Sequence, residues 1–454
     1  MQKWSILSGG LVAILTCGAV VANAQSMSRR APLTQPQLQQ EAAISMRLLL
    51  NNLQAPGIAP GAVIASPSQR DPDYFYHWVR DAGLVMGTVL DLAPLNRNAP
   101  RLLGNWMTFE NHLREQSVAG PGLGEPKFHV NGEVFRGPWG RPQNDGPAIR
   151  AWTMLRVTGR LDEGIKKDLD YLQREWMNPD FDLWEEVKGT HFFTRYAQMA
   201  AFRQAAIATR QNAGLSREYA AMAQKIENTL GLFVDPRTKL VTPTLPGSQG
   251  VQKHSGLDIS VILAIAYFGP TPNWSVSNPY VLNTLHRMEE AFSNIYVVNK
   301  NYTDMAPGLG RYPEDVYDGN GFGGGNPWYL ATFGAAEFYC NLIDDLGRAG
   351  AIRFEPLNVP FYETALGASI TPFTQVGRDQ EQYWQIMQGL QSRAMSFIQR
   401  ALFHAGPDRR YAEQFDRVTG FRRGAKDLTW SYAASLRAFQ RCQGTLQALE
   451  SRRK

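Results

Sequence analysis

The sequence predicts an all-α fold, a toroid of paired helices forming one domain, and two observations carry that prediction. Apolar residues recur at three- and four-residue spacing in about twelve stretches, the signature of amphipathic helices. Between them lie long segments rich in Gly, Pro, Asn and Asp, with no low-complexity linker and nothing that reads as an appended β-sandwich. The periodicity places helices near 36–54, 78–92, 98–118, 145–158, 161–176, 192–212, 215–233, 257–267, 279–297, 326–348, 380–403 and 427–441. Segments 119–144, 234–256, 298–325 and 405–426 read as loops. Loops of about 20 residues in a compact domain usually carry function, so chemistry is sought there.

At the N-terminus, Lys3 precedes an apolar run that ends in Ala22-Asn23-Ala24, the layout of a secretory signal peptide. Residues 1–24 are therefore set aside, and 25–454 is expected to be the mature chain, extracellular or periplasmic. The run is broken by Ser and Gly and falls short of the ~20 residues that a membrane span requires, so no membrane contact is expected after cleavage. Lipidation at Cys17 is a weaker alternative, because Thr16 is an unusual residue before a lipidated cysteine. Cleavage leaves Cys340 and Cys442, hence at most one intrachain disulfide, whose pairing the sequence leaves open.

Composition excludes several classes of function. The net charge of +5 is small for 454 residues and its carriers are scattered, with Arg422-Arg423 and 451–454 too short to track a nucleic acid. Seven histidines occur without an HExxH or a Cys/His cluster, so neither a metal site nor metal catalysis is expected. The run Asp318–Asn326 (DGNGFGGGN) is glycine-rich like a phosphate loop, but it follows an irregular segment and the chain has no GK[ST]. GxSxG is also missing, so serine hydrolysis has no nucleophile elbow. No cofactor is expected.

What remains is a supply of carboxylates beside Trp, Tyr and Arg. Asp182–Val187 (DLWEEV) sets Glu185 and Glu186 against a tryptophan, and an apolar neighbour raises a carboxyl pKa, the state that a general acid needs. A solvated Glu-Glu pair at a helix start is the plainer reading of those six residues. Arg410–Asp416 (RYAEQFD) offers Glu413 in a loop, where an ordinary surface glutamate is the competing reading. Pro72–Asp81 (PDYFYHWVRD) and Trp139–Asp145 (WGRPQND) mix aromatics with Arg and Asp. Asp and Arg recognise pyranose hydroxyls by charge-assisted hydrogen bonds while an aromatic ring packs on the sugar's apolar face. Either segment alone also fits a structural ion pair. Glycoside hydrolysis needs two carboxyls from distant parts of a chain on opposite faces of one sugar.

These segments, with Arg311–Asp315 (RYPED) and Gly325–Trp328 (GNPW), resemble in order and content the motifs of the glucoamylases, glycoside hydrolase family 15. The resemblance runs from about residue 40 to 440. It implies an (α/α)6 barrel of six outer and six inner helices with a pocket built from loops at one end. It further implies inverting hydrolysis that releases β-D-glucose from non-reducing ends of starch, glycogen or maltooligosaccharides, attacking α-1,4 bonds and, more slowly, α-1,6 bonds. Carried across by motif, Glu185 is the general acid, Glu413 the general base and Glu186 a binder of the leaving sugar. Arg80, Asp81 and Arg311 hold substrate, and Tyr74, Trp78, Trp139, Trp328 and Trp430 are pocket aromatics. The spacing from Glu413 to Trp430 fits the family pattern. The chemistry asks for an acid with a raised pKa and a base left ionised, hence a bell-shaped pH profile.

The chain departs from the pattern in places. Compared with the shortest family members, the loop between Glu314 and Asn326 carries a glycine-rich extension, which is expected to reshape the pocket rim or the leaving-sugar sites and with them the chain-length preference. About twenty residues follow the Asp427 motif, so no separate starch-binding domain is expected. A monomer is expected. Rival readings are a relative acting on α-1,6-glucan or trehalose, and a non-catalytic glucan-binding protein. Asn273-Trp-Ser275 and Asn301-Tyr-Thr303 are glycosylation sequons that matter only in a eukaryotic host.

Overall fold

The computed structural model describes residues 33–117 and 122–450. The expected signal peptide, its cleavage site and the Cys17 alternative lie outside the described residues. Fourteen α-helices run through the described chain: α1 (Gln35–Leu53), α2 (Val79–Asp91), α3 (Ala99–Gln116), α4 (Asp145–Thr158), α5 (Glu163–Glu175), α6 (Phe192–Ala208), α7 (Ala213–Leu230), α8 (Ile259–Phe268), α9 (Pro279–Ile295), α10 (Val297–Asn301), α11 (Tyr329–Ala349), α12 (Val359–Leu366), α13 (Glu381–Ala405) and α14 (Thr429–Glu450).

Six of them close a ring: α2 packs on α4, α4 on α6, α6 on α8, α8 on α11, α11 on α14, and α14 returns to α2. A helix in such a ring touches protein on all sides, so its sequence loses the polar stripe of a surface helix. In α8 (ISVILAIAYF) every residue is buried. The six partners outside the ring, α1, α3, α5, α7, α9 and α13, keep amphipathic patterns with one buried face. This is the (α/α)6 barrel that the resemblance implies. Local chemistry fixes the ends. Asp162 caps α5 by accepting from Ile165 N–H at 2.8 Å, Asp258 caps α8 through Ser260 N–H at 2.8 Å, and Gly159 and Gly350 end α4 and α11 in the left-handed conformation.

All twelve helices expected from periodicity are present. The two it missed, α10 and α12, are too short for a 3.6-residue stripe to register. The last helix runs nine residues past its expected end. There Cys442 and Thr445 are buried, and Cys442 is bonded to Cys340 of α11, so the disulfide the sequence left open ties two adjacent ring helices together. Only short two- and three-stranded ladders occur among the described residues. Among those residues no helix is long and apolar enough to cross a membrane.

Connections into the ring helices are long (54–78, 117–144, 176–191, 231–258, 302–328, 406–428), whereas the first four connections out of them are short (92–98, 159–162, 209–212, 269–278). The barrel thus gathers its long loops at the N-terminal ends of the six ring helices. Every candidate residue named from the sequence lies in those loops or in the first turn of a ring helix.

Candidate active site

One cavity at that end is lined by Tyr74, Trp78, Arg80, Asp81, Trp139, Glu185, Glu186, Arg311, Trp328, Glu413 and Trp430, which are the eleven positions singled out from the sequence. Ala65, Leu183, Trp184, Tyr317 and Leu428 complete the wall.

Glu185 sits on a tight turn between the short strands Asp180–Phe181 and Val187–Gly189. The Asp182 carbonyl accepts from Glu185 N–H at 2.8 Å, and its carboxylate accepts from the N–H groups of Glu186 and Val187 at 2.8 and 3.0 Å. Glu185 is held at φ 67°, a left-handed conformation that side-chain-bearing residues rarely adopt, and such strain clusters at working sites. Lys253 then pins the turn to the start of α8, donating to Asp182 at 3.0 Å and Asp258 at 2.7 Å. Burial alone would raise the Asp182 carboxyl, but the Lys253 ammonium, His191 and the two N–H groups bring it down to about 2. Trp184, on the same turn, donates to Asp258 and stacks on Trp430, building the pocket wall.

Three donors converge on one oxygen of Glu185. Its Oε1 accepts from Trp78 Nε1 at 2.8 Å, Gln143 Nε2 at 3.1 Å and Arg80 Nη2 at 3.3 Å, while among the described residues Oε2 takes no hydrogen bond. Arg80 is aimed by Gln143 Oε1 at 2.8 Å and by the buried Asp145 at 3.1 Å. Beside it, burial pushes the Asp81 carboxyl up to about 7, against the pull of the Arg80 guanidinium.

Glu413 lies one residue before the short strand Gln414–Phe415, which pairs with Arg422–Arg423 and bridges to Trp328. Its Oε1 accepts from the Tyr74 hydroxyl at 3.0 Å and its Oε2 from the Tyr317 hydroxyl at 3.3 Å. Expected as the ionised partner, Glu413 is instead pushed up to about 8 by burial, against the hydrogen bond from Tyr74 and the charge of Arg311. Burial in the substrate-free pocket thus opposes the charge on this carboxyl, while the phenols and Arg311 favour it. Gly424 makes room for the carboxyl. A Cβ there would stand 2.3 Å from Glu413 Oε2, and its φ of 71° lies in the left-handed region that favours glycine. The glycine-rich loop backs onto the same spot, with Gly319 against Gly424.

Glu186 turns the other way. Its Oε1 accepts from Arg311 Nη2 at 2.8 Å and its Oε2 from the Tyr312 hydroxyl. Arg311 is gripped by Asp315 through Nε at 2.8 Å and Nη2 at 2.6 Å, so it orients Glu186 as well as lining the cavity. Tyr317, Gln143, Asp145 and Asp315 were not named as site residues. The last three stood inside segments already singled out, where Asp-Arg spacing was a usable signal, whereas Tyr317 in the glycine-rich loop carried none. Among the described residues no group of three or more His, Cys, Asp or Glu side chains could hold a metal ion.

Residues 42–440 match the glycosyl hydrolases family 15. A glucoamylase of Blastobotrys adeninivorans is 34% identical over 448 residues, spanning 89% of this chain and 70% of that protein. A probable glucoamylase of Schizosaccharomyces pombe is 34% identical, with 88% and 90% covered. Among solved structures, the glucoamylase from Saccharomycopsis fibuligera superimposes with a TM-score of 0.82 at 30% identity, covering 92% of this chain and 98% of that one. The family 15 glucoamylase from Hypocrea jecorina gives 0.81 at 30% identity, with 91% and 73% covered.

Proposed function

The chain belongs to the glycosyl hydrolases family 15, and on that premise we propose that its pocket removes glucose one unit at a time from the non-reducing ends of starch-like α-1,4 chains, with inversion at the anomeric carbon and slower attack on α-1,6 bonds. It is a glycoside hydrolase of the glucoamylase type.

The observation that carries the assignment of roles is the contrast between two carboxyls in one cavity. Glu185 has all its donors on Oε1, which leaves Oε2 to carry a proton toward the glycosidic oxygen. As that proton leaves, the new carboxylate keeps the Trp78, Gln143 and Arg80 donors, so the charge is met by groups already in position. The bond from the anomeric carbon to the leaving oxygen breaks, and the leaving sugar departs as an alcohol. Glu413 takes a proton from a water whose oxygen bonds to the opposite face of that carbon, which inverts it. The phenols of Tyr74 and Tyr317 favour the charged form of Glu413. Positive charge developing on the sugar ring favours it further, which offsets the burial that protonates it in the free pocket. Arg80, Asp81 and the aromatic walls hold the terminal glucose, and Glu186 with Arg311 faces the leaving sugar.

We further infer that residues 1–24 are a signal peptide and that the enzyme works outside the cytoplasm. The charged start, apolar run and small-residue triplet support this. Family membership does not decide it, because one relative is named an intracellular sporulation-specific glucoamylase.

Soluble starch, maltose, isomaltose and trehalose assayed side by side test the substrate. Rapid release from starch and maltose with slower release from isomaltose is expected; release confined to isomaltose or trehalose would reassign the linkage.

A further inference from the structure

Lys127 is buried, only 3% exposed, behind the pocket wall. It stands directly across an antiparallel ladder from Trp78, so the two side chains share one face. Its ammonium lies 3.6 Å from the ring centroid of Trp139, 4.1 Å from Tyr76, 4.2 Å from Phe135 and 4.5 Å from Trp78. Among the described residues the ammonium makes no hydrogen bond and no ion pair, while the backbone N–H of Lys127 donates to Glu125. Glu125, two residues away, is held by Arg141 at 2.7 Å. An ammonium crowded by four ring faces loses much of its hydration, a cost that the cation–π contacts offset. Burial pulls the ammonium down to about 8, against the carboxylates of Glu185 and Asp73 and with Arg141, the charged groups that face it. Below that pH it is a cation.

The ring of Trp78 carries this cation over its face and gives the N–H at its edge to Glu185 Oε1 at 2.8 Å. A positive charge over an indole draws density from the ring and makes its N–H a stronger donor. It also attracts the carboxylate that Glu185 becomes. We propose that Lys127 is a positioning residue for leaving-group protonation: held in the four-ring cage, its ammonium acts through the Trp78 indole to favour the Glu185 carboxylate formed as the proton is given up. This rests on the reading of Glu185 as the general acid. Lys127 itself does not line the cavity.

The test compares Lys127→Met, Lys127→Arg and Glu185→Gln with wild type on maltose and on α-D-glucosyl fluoride, whose leaving group needs little protonation. Lys127→Met is expected to lose about tenfold in kcat on maltose, the size of a desolvated cation–π contact. It should lose less than about twofold on the fluoride, for want of a proton to deliver. The pH–rate limb that belongs to Glu185 moves to higher pH when the cation is removed, and Lys127→Arg restores both rate and limb. Lys127→Gln replaces Lys127→Met if the latter does not fold. Equal losses on both substrates with no movement of the limb would overturn the proposal and leave Lys127 as a prop for the aromatic wall. Full maltose activity in Glu185→Gln would instead remove the acid assignment, a separate failure.

Discussion

The Tyr74 hydroxyl donates to Glu413 Oε1 at 3.0 Å and meets the Tyr317 hydroxyl at the same distance, so two phenols from loops far apart in the chain cover one buried carboxyl. Both bonds favour the charged form of Glu413 against burial. Tyr74→Phe removes the nearer donor. The pH–rate limb that belongs to Glu413 is expected to shift to higher pH, and kcat to fall by about tenfold, the worth of one hydrogen bond to a charged group. Tyr317→Phe, whose bond is 3.3 Å, should shift it less. Profiles of kcat/KM against pH for the three proteins check this, and unmoved limbs would show that the phenols do not act on Glu413.

The same carboxyl makes a stability prediction. Its folded pKa, about 8, lies above the ordinary 4.5. A group raised in this way contributes stability that is complete below the ordinary value and is lost as pH rises through the folded one. Glu413→Gln removes that dependence. Between about pH 5 and 9 the melting temperature of wild type should therefore fall relative to the variant, and parallel curves in thermal unfolding would contradict the burial argument.

The Cys340–Cys442 bridge closes a loop of 102 residues between α11 and α14, with Cα atoms 5.3 Å apart. Chain-entropy arguments give such a bridge roughly 2–5 kcal/mol. Cys340→Ser with Cys442→Ser should lower the denaturant midpoint accordingly while leaving kcat on maltose unchanged, since neither cysteine reaches the cavity.

How much of this was legible beforehand follows from what sequence encodes locally. Helices such as α5 and α9 were readable because the core imposes a 3.6-residue pattern on them, whereas α10 ends before one can develop. The eleven pocket residues were legible because loop carboxylates and indoles form recognisable motifs. The state of Glu413 was not, since it depends on burial and on Tyr317, a residue 96 positions away that stands outside any recognisable carboxylate or indole motif. Nor was Lys127, which read as one of many scattered cations until the ladder placed it against Trp78. Long-range packing sets both, and no local pattern reports it.

The claim that Glu185 delivers the proton and that water attacks from the Glu413 side is tested most directly by following glucose release from soluble starch by NMR during the first minutes, with wild type and Glu185→Gln. The account predicts β-glucose as the first anomer from wild type and a loss of about 10²-fold or more in the variant. α-Glucose as the first product, or an undiminished rate in Glu185→Gln, would contradict it.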